Sequence, residues 1–295
     1  GFSLNGSYEN YGATLYQDSG DFSWRLYYCR PDIVYKIHRG PVISQEEEQG
    51  MYYEPNAANF FSLDAKFKFD KHSLWPYIGV ITDYTSPGKR FNIFSAPVKK
   101  EILGTFGVAW DYSNEILSLK AEAARNFGKA VSINSDFKDV EHTGYLLYGE
   151  ADLLLGKFTP YLKFLAASGN KVTPEMAQSG ATTLTSGKNR AFSYFSPLNE
   201  NLGDSVTSSN VDMLPIIAMG AGYGLSYGVP RPTTFSPGDF ENLLMPCFGF
   251  GLEVNPKISV QFDFYYLSSF NKAVGMYLGR SKYLSRELGY ETDLI

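Results

Sequence analysis

The chain of 295 residues is 44% hydrophobic and 16% aromatic, with 22 Tyr, 22 Phe and 28 Gly, 19% charged residues and a formal net charge of −5. That apolar content excludes intrinsic disorder, and the acidic balance argues against a nucleic-acid-binding surface. Two cysteines are too few for a disulfide scaffold or a zinc ribbon.

Tyr, Phe and Gly together favour strands and tight turns. The chain opens GFSLNGSYEN, with no basic, apolar leader, so the expectation is a signal peptide already removed or never present. No apolar run reaches about eighteen residues, which excludes a transmembrane helix but not a barrel that crosses with alternating strands.

In chain order, weak period-two candidates fall at residues 2–8, 22–28 and 33–37. Residues 61–69 (FSLDAKFKF) give a strong one, with Phe61, Leu63, Ala65, Phe67 and Phe69 on one face and Ser62, Asp64, Lys66 and Lys68 on the other. A weaker candidate at 74–82 precedes 102–110, where Ile102, Gly104, Phe106, Val108 and Trp110 share a face. Residues 117–127 set Ser118, Lys120 and Glu122 against Leu117, Leu119, Ala121 and Ala123. The stretch EILSLKAEAARNF across that region also has helix-forming composition. Residues 145–155 oppose Glu150 and Asp152 to Leu147, Gly149, Ala151 and Leu153. Weaker candidates follow at 158–166, 213–227 and 244–254. Residues 258–266 (ISVQFDFYY) are clear, with Ser259, Gln261 and Asp263 opposite the aromatics, and 288–294 closes the series with Glu291 and Asp293 on its polar face. The expectation is roughly a dozen strands in a single domain over 1–295, and no helix.

Connections alternate in length. Tight turns are expected at 70–73, 111–115, 156–157 and 255–257, and long polar stretches at 84–100, 128–143, 168–210 and 268–286. An outer-membrane barrel has this rhythm, with short periplasmic turns and long extracellular loops. The rhythm falters around 211–242, where an extra hairpin near 220–224 would restore it. Several segments reach nine to eleven residues, enough to cross a bilayer at a tilt of about 45°. Trp24, Tyr27, Tyr28, Trp75, Tyr77, Trp110, Tyr112, Tyr265 and Tyr266 lie near strand ends, where interfacial girdles form. The fold expected is therefore all-β, a closed antiparallel transmembrane barrel in a bacterial outer membrane. A soluble β-sandwich or barrel with an apolar interior is the plainer alternative.

Four segments carry a family resemblance: 117–129 (LSLKAEAARNFGK), 161–170 (YLKFLAASGN), 242–267 (NLLMPCFGFGLEVNPKISVQFDFYYL) and the terminal LGYETDL of 288–294. Together they resemble the alginate-export family of outer-membrane barrels, mainly in the C-terminal half. The resemblance implies a monomeric closed barrel passing an anionic polysaccharide, or other solutes, across the outer membrane. Family barrels are longer and usually finish on an aromatic residue, whereas this chain stops at Ile295. The expectation is a fragment, or a sequence lacking loops and a final strand.

A polyuronate pore should present Arg and Lys to its cargo. The inward candidates here are Lys66, Lys68, Lys120 and Lys163, with Arg25, beside Asp64, Asp83, Glu122, Glu150, Asp152, Glu253, Gln261, Asp263, Glu291 and Asp293. That lumen is mixed and leans acidic. Its plainer role is a ladder of cross-strand ion pairs, Asp64/Lys66 beside Lys120/Glu122. Lys89, Arg90, Lys188 and Arg190 are candidates for a positive collar at the extracellular mouth, and the loop 168–210 is long enough to fold inward.

No catalytic, cofactor or metal site is expected. Of His38, His72 and His142, two fall in predicted turns or loops, and no serine–histidine or metal-ligand spacing appears. GAGYGLSYG lacks the Lys-Ser/Thr ending of a phosphate loop. Cys29 and Cys247 are left as either a bridge or two buried thiols. Expected partners are the lipid bilayer and a small polar solute or polysaccharide, with no nucleic acid. One alternative within the fold is a sheath or scaffold for a partner such as an electron-carrying cytochrome; a soluble carbohydrate-binding β-protein is another.

Overall fold

The computed structural model describes residues 10–31, 58–84, 98–132, 138–169, 187–190, 192, 243–277 and 281–294. Among them are thirteen strands and no helix: β1 (Asn10–Asp18), β2 (Phe22–Pro31), β3 (Ala58–Phe69), β4 (His72–Asp83), β5 (Val98–Ser113), β6 (Leu117–Ser132), β7 (Val140–His142), β8 (Tyr145–Leu153), β9 (Phe158–Ala167), β10 (Lys188–Asn189), β11 (Leu243–Asn255), β12 (Ile258–Tyr277) and β13 (Ser281–Leu294).

Eleven of them form one continuous sheet, in the order β1-β2-β3-β4-β5-β6-β8-β9-β11-β12-β13. Every neighbouring pair on that path is antiparallel. The short β7 pairs with the far end of β6, and β10 pairs with β7 in parallel. Among the described residues no pairing joins β1 to β13, so the sheet is open. Directions alternate along the path, so its first and eleventh members, β1 and β13, run the same way.

Most tight turns gather at one end of the sheet. The β1–β2, β3–β4, β5–β6, β8–β9 and β11–β12 connections there each span four residues or fewer, while 32–57, 84–97 and the two excursions carrying β7 and β10 lie at the other end, together with the three-residue β12–β13 connection. Local chemistry closes these turns. Asn114 Oδ1 accepts from the amides of Ile116 and Leu117 at 2.8 Å each, and Asn255 Oδ1 accepts from Lys257 N at 2.9 Å. The β1–β2 turn needs a left-handed residue, which Gly20 supplies at φ 85°.

The segment with helix-forming composition is β6, sixteen residues of strand flanked by β5 and β8. Its period-two alternation and two ladders outweigh the propensity of its alanines. The predicted long connection at 268–286 is corrected: β12 runs on to Tyr277 and β13 begins at Ser281, with register shifts between Leu267 and Ala273. Bulges absorb the polar, Gly-containing sequence there without ending the ladder. The 128–143 stretch is shorter than expected, because β6 continues to Ser132 and β7 occupies 140–142. β1 went unpredicted. The candidates at 2–8, 33–37 and 213–227, and the hairpin near 220–224, lie outside the described residues.

The two faces of the sheet are sharply unequal. One carries exposed Leu26, Phe61, Leu63, Phe67, Ile78, Phe106, Val108, Leu147, Leu162, Phe164, Phe248 and Tyr266. Cross-strand aromatic pairs tile it, with ring centroids 5.0 Å apart for Phe22–Phe67, 4.8 Å for Tyr28–Phe61 and 5.1 Å for Phe248–Phe264. The other face buries Asp64, Glu122, Asn126, Glu150, Lys163 and Asp263. Leu162 is 65% exposed, whereas Asp263 is 1% exposed.

Candidate functional site

The buried face places the polar residues in tiers. Nearest the tight turns, Arg25 Nε donates to Asp64 Oδ2 at 2.9 Å, and Trp75 Nε1 donates to Asp64 Oδ1 at 3.2 Å. The Lys66 ammonium sits 5.7 Å from the Trp75 ring centroid. Lys68 is exposed beside the β3–β4 turn, its amide donating to Asp21 O at 2.7 Å.

The middle tier is built on tyrosine–carboxylate pairs. Tyr77 on β4 stands opposite Gly107 on β5 and donates its hydroxyl hydrogen to Glu122 on β6. Tyr161 on β9 stands opposite Gly249 on β11, which stands opposite Asp263 on β12, and Tyr161 donates to Asp263. In both cases the phenol lies across a glycine. A Cβ on Gly107 would come 2.3 Å from the Tyr77 oxygen, and one on Gly249 would come 2.6 Å from the Tyr161 ring. Tyr148 donates to Glu150, whose other oxygen accepts from Lys120 Nζ at 3.2 Å. Lys163 stands opposite Glu150 in register, its ammonium 4.8 Å from the Tyr161 ring centroid. Gln261 Nε2 donates to Asp263 Oδ2 at 2.8 Å. Asp152 is half-buried and stands opposite Tyr161.

Toward the long-loop end, Asn126 Nδ2 donates to Thr105 Oγ1 at 2.6 Å. His142 Nε2 lies 3.0 Å from Glu101 Oε1, and Asn189 Nδ2 lies 3.3 Å from His142 Nδ1. Phe192, from the excursion after β9, is fully buried in one cluster with Tyr77, Leu146, Tyr148, Tyr161, Leu165, Met245 and Tyr265. At least this part of the predicted long loop folds inward. At the rim, Lys129 Nζ meets Asp139 Oδ2 at 2.7 Å, and this contact holds the Asp139 carboxyl below its usual range.

Several expected placements are corrected. The Asp64/Lys66–Lys120/Glu122 ladder does not form, because β4 and β5 stand between β3 and β6; Asp64 pairs with Arg25, and Lys120 with Glu150. Tyr27, Tyr77 and Tyr265 are buried on the polar face, not set in a girdle, and Trp75 serves Asp64. Alternation puts these residues on the inner row whatever their height along the strand. His72 opens β4 and His142 closes β7, so both are strand residues. Cys247 is a buried free thiol. Lys188 and Arg190 are exposed beside buried Asn189, with Lys188 opposite Glu141. Lys89, Arg90 and His38 lie outside the described residues. For Glu291 and Asp293 the register gives positions opposite Tyr265 and Asp263.

Sequence reasoning missed the tyrosine partners of the carboxylates. The signal was there: a glycine on the polar row of a strand, across from a tyrosine. No protein-family profile matches this chain, and no curated protein does.

Proposed function

We propose that this chain forms the wall of a bacterial outer-membrane barrel and acts as a narrow pore for small polar solutes, favouring cations. The observation that carries the reading is the inverted burial: charged side chains are enclosed while Phe, Leu and Val cover the outside. In water such a continuous aromatic and aliphatic surface is an aggregation hazard, whereas in a bilayer it is the lipid face. Five of the six shortest connections along the main sheet share one end, and every long connection lies at the other with only the β12–β13 turn among them, which supports the same orientation, with the five tight turns periplasmic.

An open edge is untenable in hydrocarbon, where each unpaired backbone group costs several kcal/mol. Closure is therefore part of the proposal. β1 and β13 run in the same direction, so an antiparallel barrel needs one further strand, or another odd number, between them. That strand would run from the tight-turn end to the long-loop end.

The inner tiers favour a small solute over a polymer. Tyr77, Tyr148, Tyr161, Leu165, Met245 and Phe192 fill the interior at mid-height and above, and along the whole inner row the acids Asp64, Asp111, Glu122, Glu150, Asp152, Glu253 and Asp263 outnumber Arg25, Lys66, Lys68, Lys120 and Lys163. A charge ring of that sign attracts cations, which separates this pore from the polyanion cargo implied by the alginate-export resemblance. An inward segment also disfavours a sheath around a partner protein, which needs an unobstructed lumen. Planar-bilayer recording of the detergent-purified chain tests the reading: discrete, cation-preferring steps support it. Verified insertion without conductance would defeat it.

A further inference from the structure

The five turns at the tight-turn end step regularly along the sheet. One cross-strand row runs from Phe69 and His72 through Tyr112 and Leu162 to Phe248 and Phe264. It starts at the β3–β4 turn itself and crosses β11 and β12 six or seven residues above theirs. The step is about two residues per hairpin, the stagger that a strand tilt of about 35–40° requires, so the turns stand at one height around a closed wall.

At that height the outer surface changes character. From β2 to β5 its rings are polar-tipped. Trp24 Nε1 donates to Gln17 Oε1 at 3.0 Å, Trp110 Nε1 donates to His72 Nδ1 at 3.3 Å, and the Tyr112 hydroxyl accepts from Asn114 Nδ2 at 2.7 Å. The β1–β2 and β3–β4 turns below them carry Asp18, Asp21, Asp70 and Lys71. From β6 to β12 the apolar surface runs on into the turns: Ile116 is 63% exposed, Leu155 54%, Ile258 53% and Val254 51%. Backbone bonds lace these three turns edge to edge, with Leu154 N donating to Ile116 O at 2.7 Å and Glu253 N donating to Lys157 O at 2.8 Å. Glu115, Lys157 and Lys257 are exposed at their tips.

We infer that the hydrocarbon boundary is uneven around the barrel, with phospholipid acyl chains reaching the β5–β6, β8–β9 and β11–β12 turns but stopping at Trp24, Trp110 and Tyr112 on the other side. This rests on the barrel reading above. Lipid is the occupant because the patch continues the outer face without a break, through Phe158, Pro160 and Leu162 on β9 and Val254, Leu252 and Phe250 on β11. Polar-tipped rings sit at headgroup level, and a lysine stem lies along apolar surface while its ammonium stays in water. Trp110 and Tyr112 stand two to four residues above the level of Leu155 and Ile258, roughly 5–10 Å along the barrel axis. A mismatch of that size is met by tilting the barrel or thinning the leaflet on one side.

The test reads depth at matched heights. Nitroxides are placed singly at Leu155→Cys and Ile258→Cys, and at Phe22→Cys and Phe69→Cys, in the full chain with Cys29→Ser and Cys247→Ser. In phosphatidylcholine–phosphatidylglycerol vesicles, the ratio of oxygen to nickel-chelate collisions reports immersion. The first pair should read about 5–10 Å deeper than the second. Equal depths, or a deeper second pair, would overturn the uneven boundary. Dipolar broadening at Leu155→Cys that grows with the protein-to-lipid ratio would overturn it too, by assigning the patch to a second copy. A label at Leu162→Cys separates this failure from that of the barrel. Rich oxygen collisions there with four equal turn sites would keep the lipid face and remove the uneven boundary, whereas few collisions at Leu162→Cys would remove both.

Discussion

Tyr161 reaches Asp263 across Gly249: three residues on β9, β11 and β12 stand in one cross-strand row, and the absent side chain in the middle lets the phenol span it. Tyr77 crosses Gly107 in a similar way on β4 and β5, and reaches diagonally to Glu122 on β6, which stands opposite Ala109. Each unit gives a buried carboxylate a hydroxyl donor on the polar face of the sheet. A carboxylate accepting such charge-assisted bonds is stabilised more than one held by neutral pairs alone.

Gly249→Ala should therefore unfold more readily than wild type, because its Cβ meets Phe262 O at 2.3 Å as well as the Tyr161 ring. The expected loss is about 1–3 kcal/mol, read from urea unfolding in lipid vesicles. Tyr161→Phe keeps the ring and removes one hydrogen bond to a charged acceptor, for a loss of about 1.5–3 kcal/mol. Wild-type stability in both variants would mean the row carries no load.

On the outer face, Leu162→Arg and Phe106→Arg should each cost about 2–4 kcal/mol in a bilayer, the penalty for a cation near the midplane of a barrel's lipid face. A serine at either site should be milder. If arginine were tolerated at both positions, the outer face would not be meeting hydrocarbon.

On the proposed pore reading, ion selectivity should follow the inner acids. Glu122→Gln and Glu150→Gln retain an acceptor for Tyr77 and Tyr148 while removing charge, and each should lower the cation-to-anion permeability ratio by roughly two-fold. Lys120→Glu and Lys68→Glu should raise it. Reversal potentials in asymmetric salt measure this, and unchanged values in all four variants would remove these residues from the conduction path.

At the rim, Asp139 titrates below the ordinary carboxylate range because Lys129 donates to it and Ser132 N adds a bond at 3.0 Å. A depressed folded value means the contact stabilises above the unfolded carboxylate range and is lost as pH falls through the folded one. Amide exchange at Ser132 should therefore be slower in wild type than in Asp139→Asn at neutral pH. The two should converge in strong acid. Equal protection at neutral pH would show that the contact does not order this corner.

Alternation made most of the sheet legible. The rows of 61–69, 117–127 and 258–266 reappear as β3, β6 and β12 because a period of two leaves a strand no choice of face. β1 escaped because NYGATLYQD mixes small and polar residues on both rows, and only its ladder with β2 declares it. The far halves of β12 and β13 escaped for a related reason: their polar, bulged sequence reads as loop until each pairs with the other. At the site, residue type and face were readable while partners were not. Asp64 and Lys66 share a row with Lys120 and Glu122, yet strand order puts β4 and β5 between them. Pairing is a property of neighbours in space, which alternation along one strand does not encode.

The central claim is that the exposed apolar face meets lipid and the charged face does not. Nitroxide labels placed singly at residues 160 to 166 on β9, in reconstituted vesicles, test it through collision with molecular oxygen. High oxygen accessibility is predicted at Pro160, Leu162 and Phe164, and low accessibility at Tyr161, Lys163 and Leu165. The opposite phase, or a purified chain that stays monodisperse in detergent-free buffer, would contradict it.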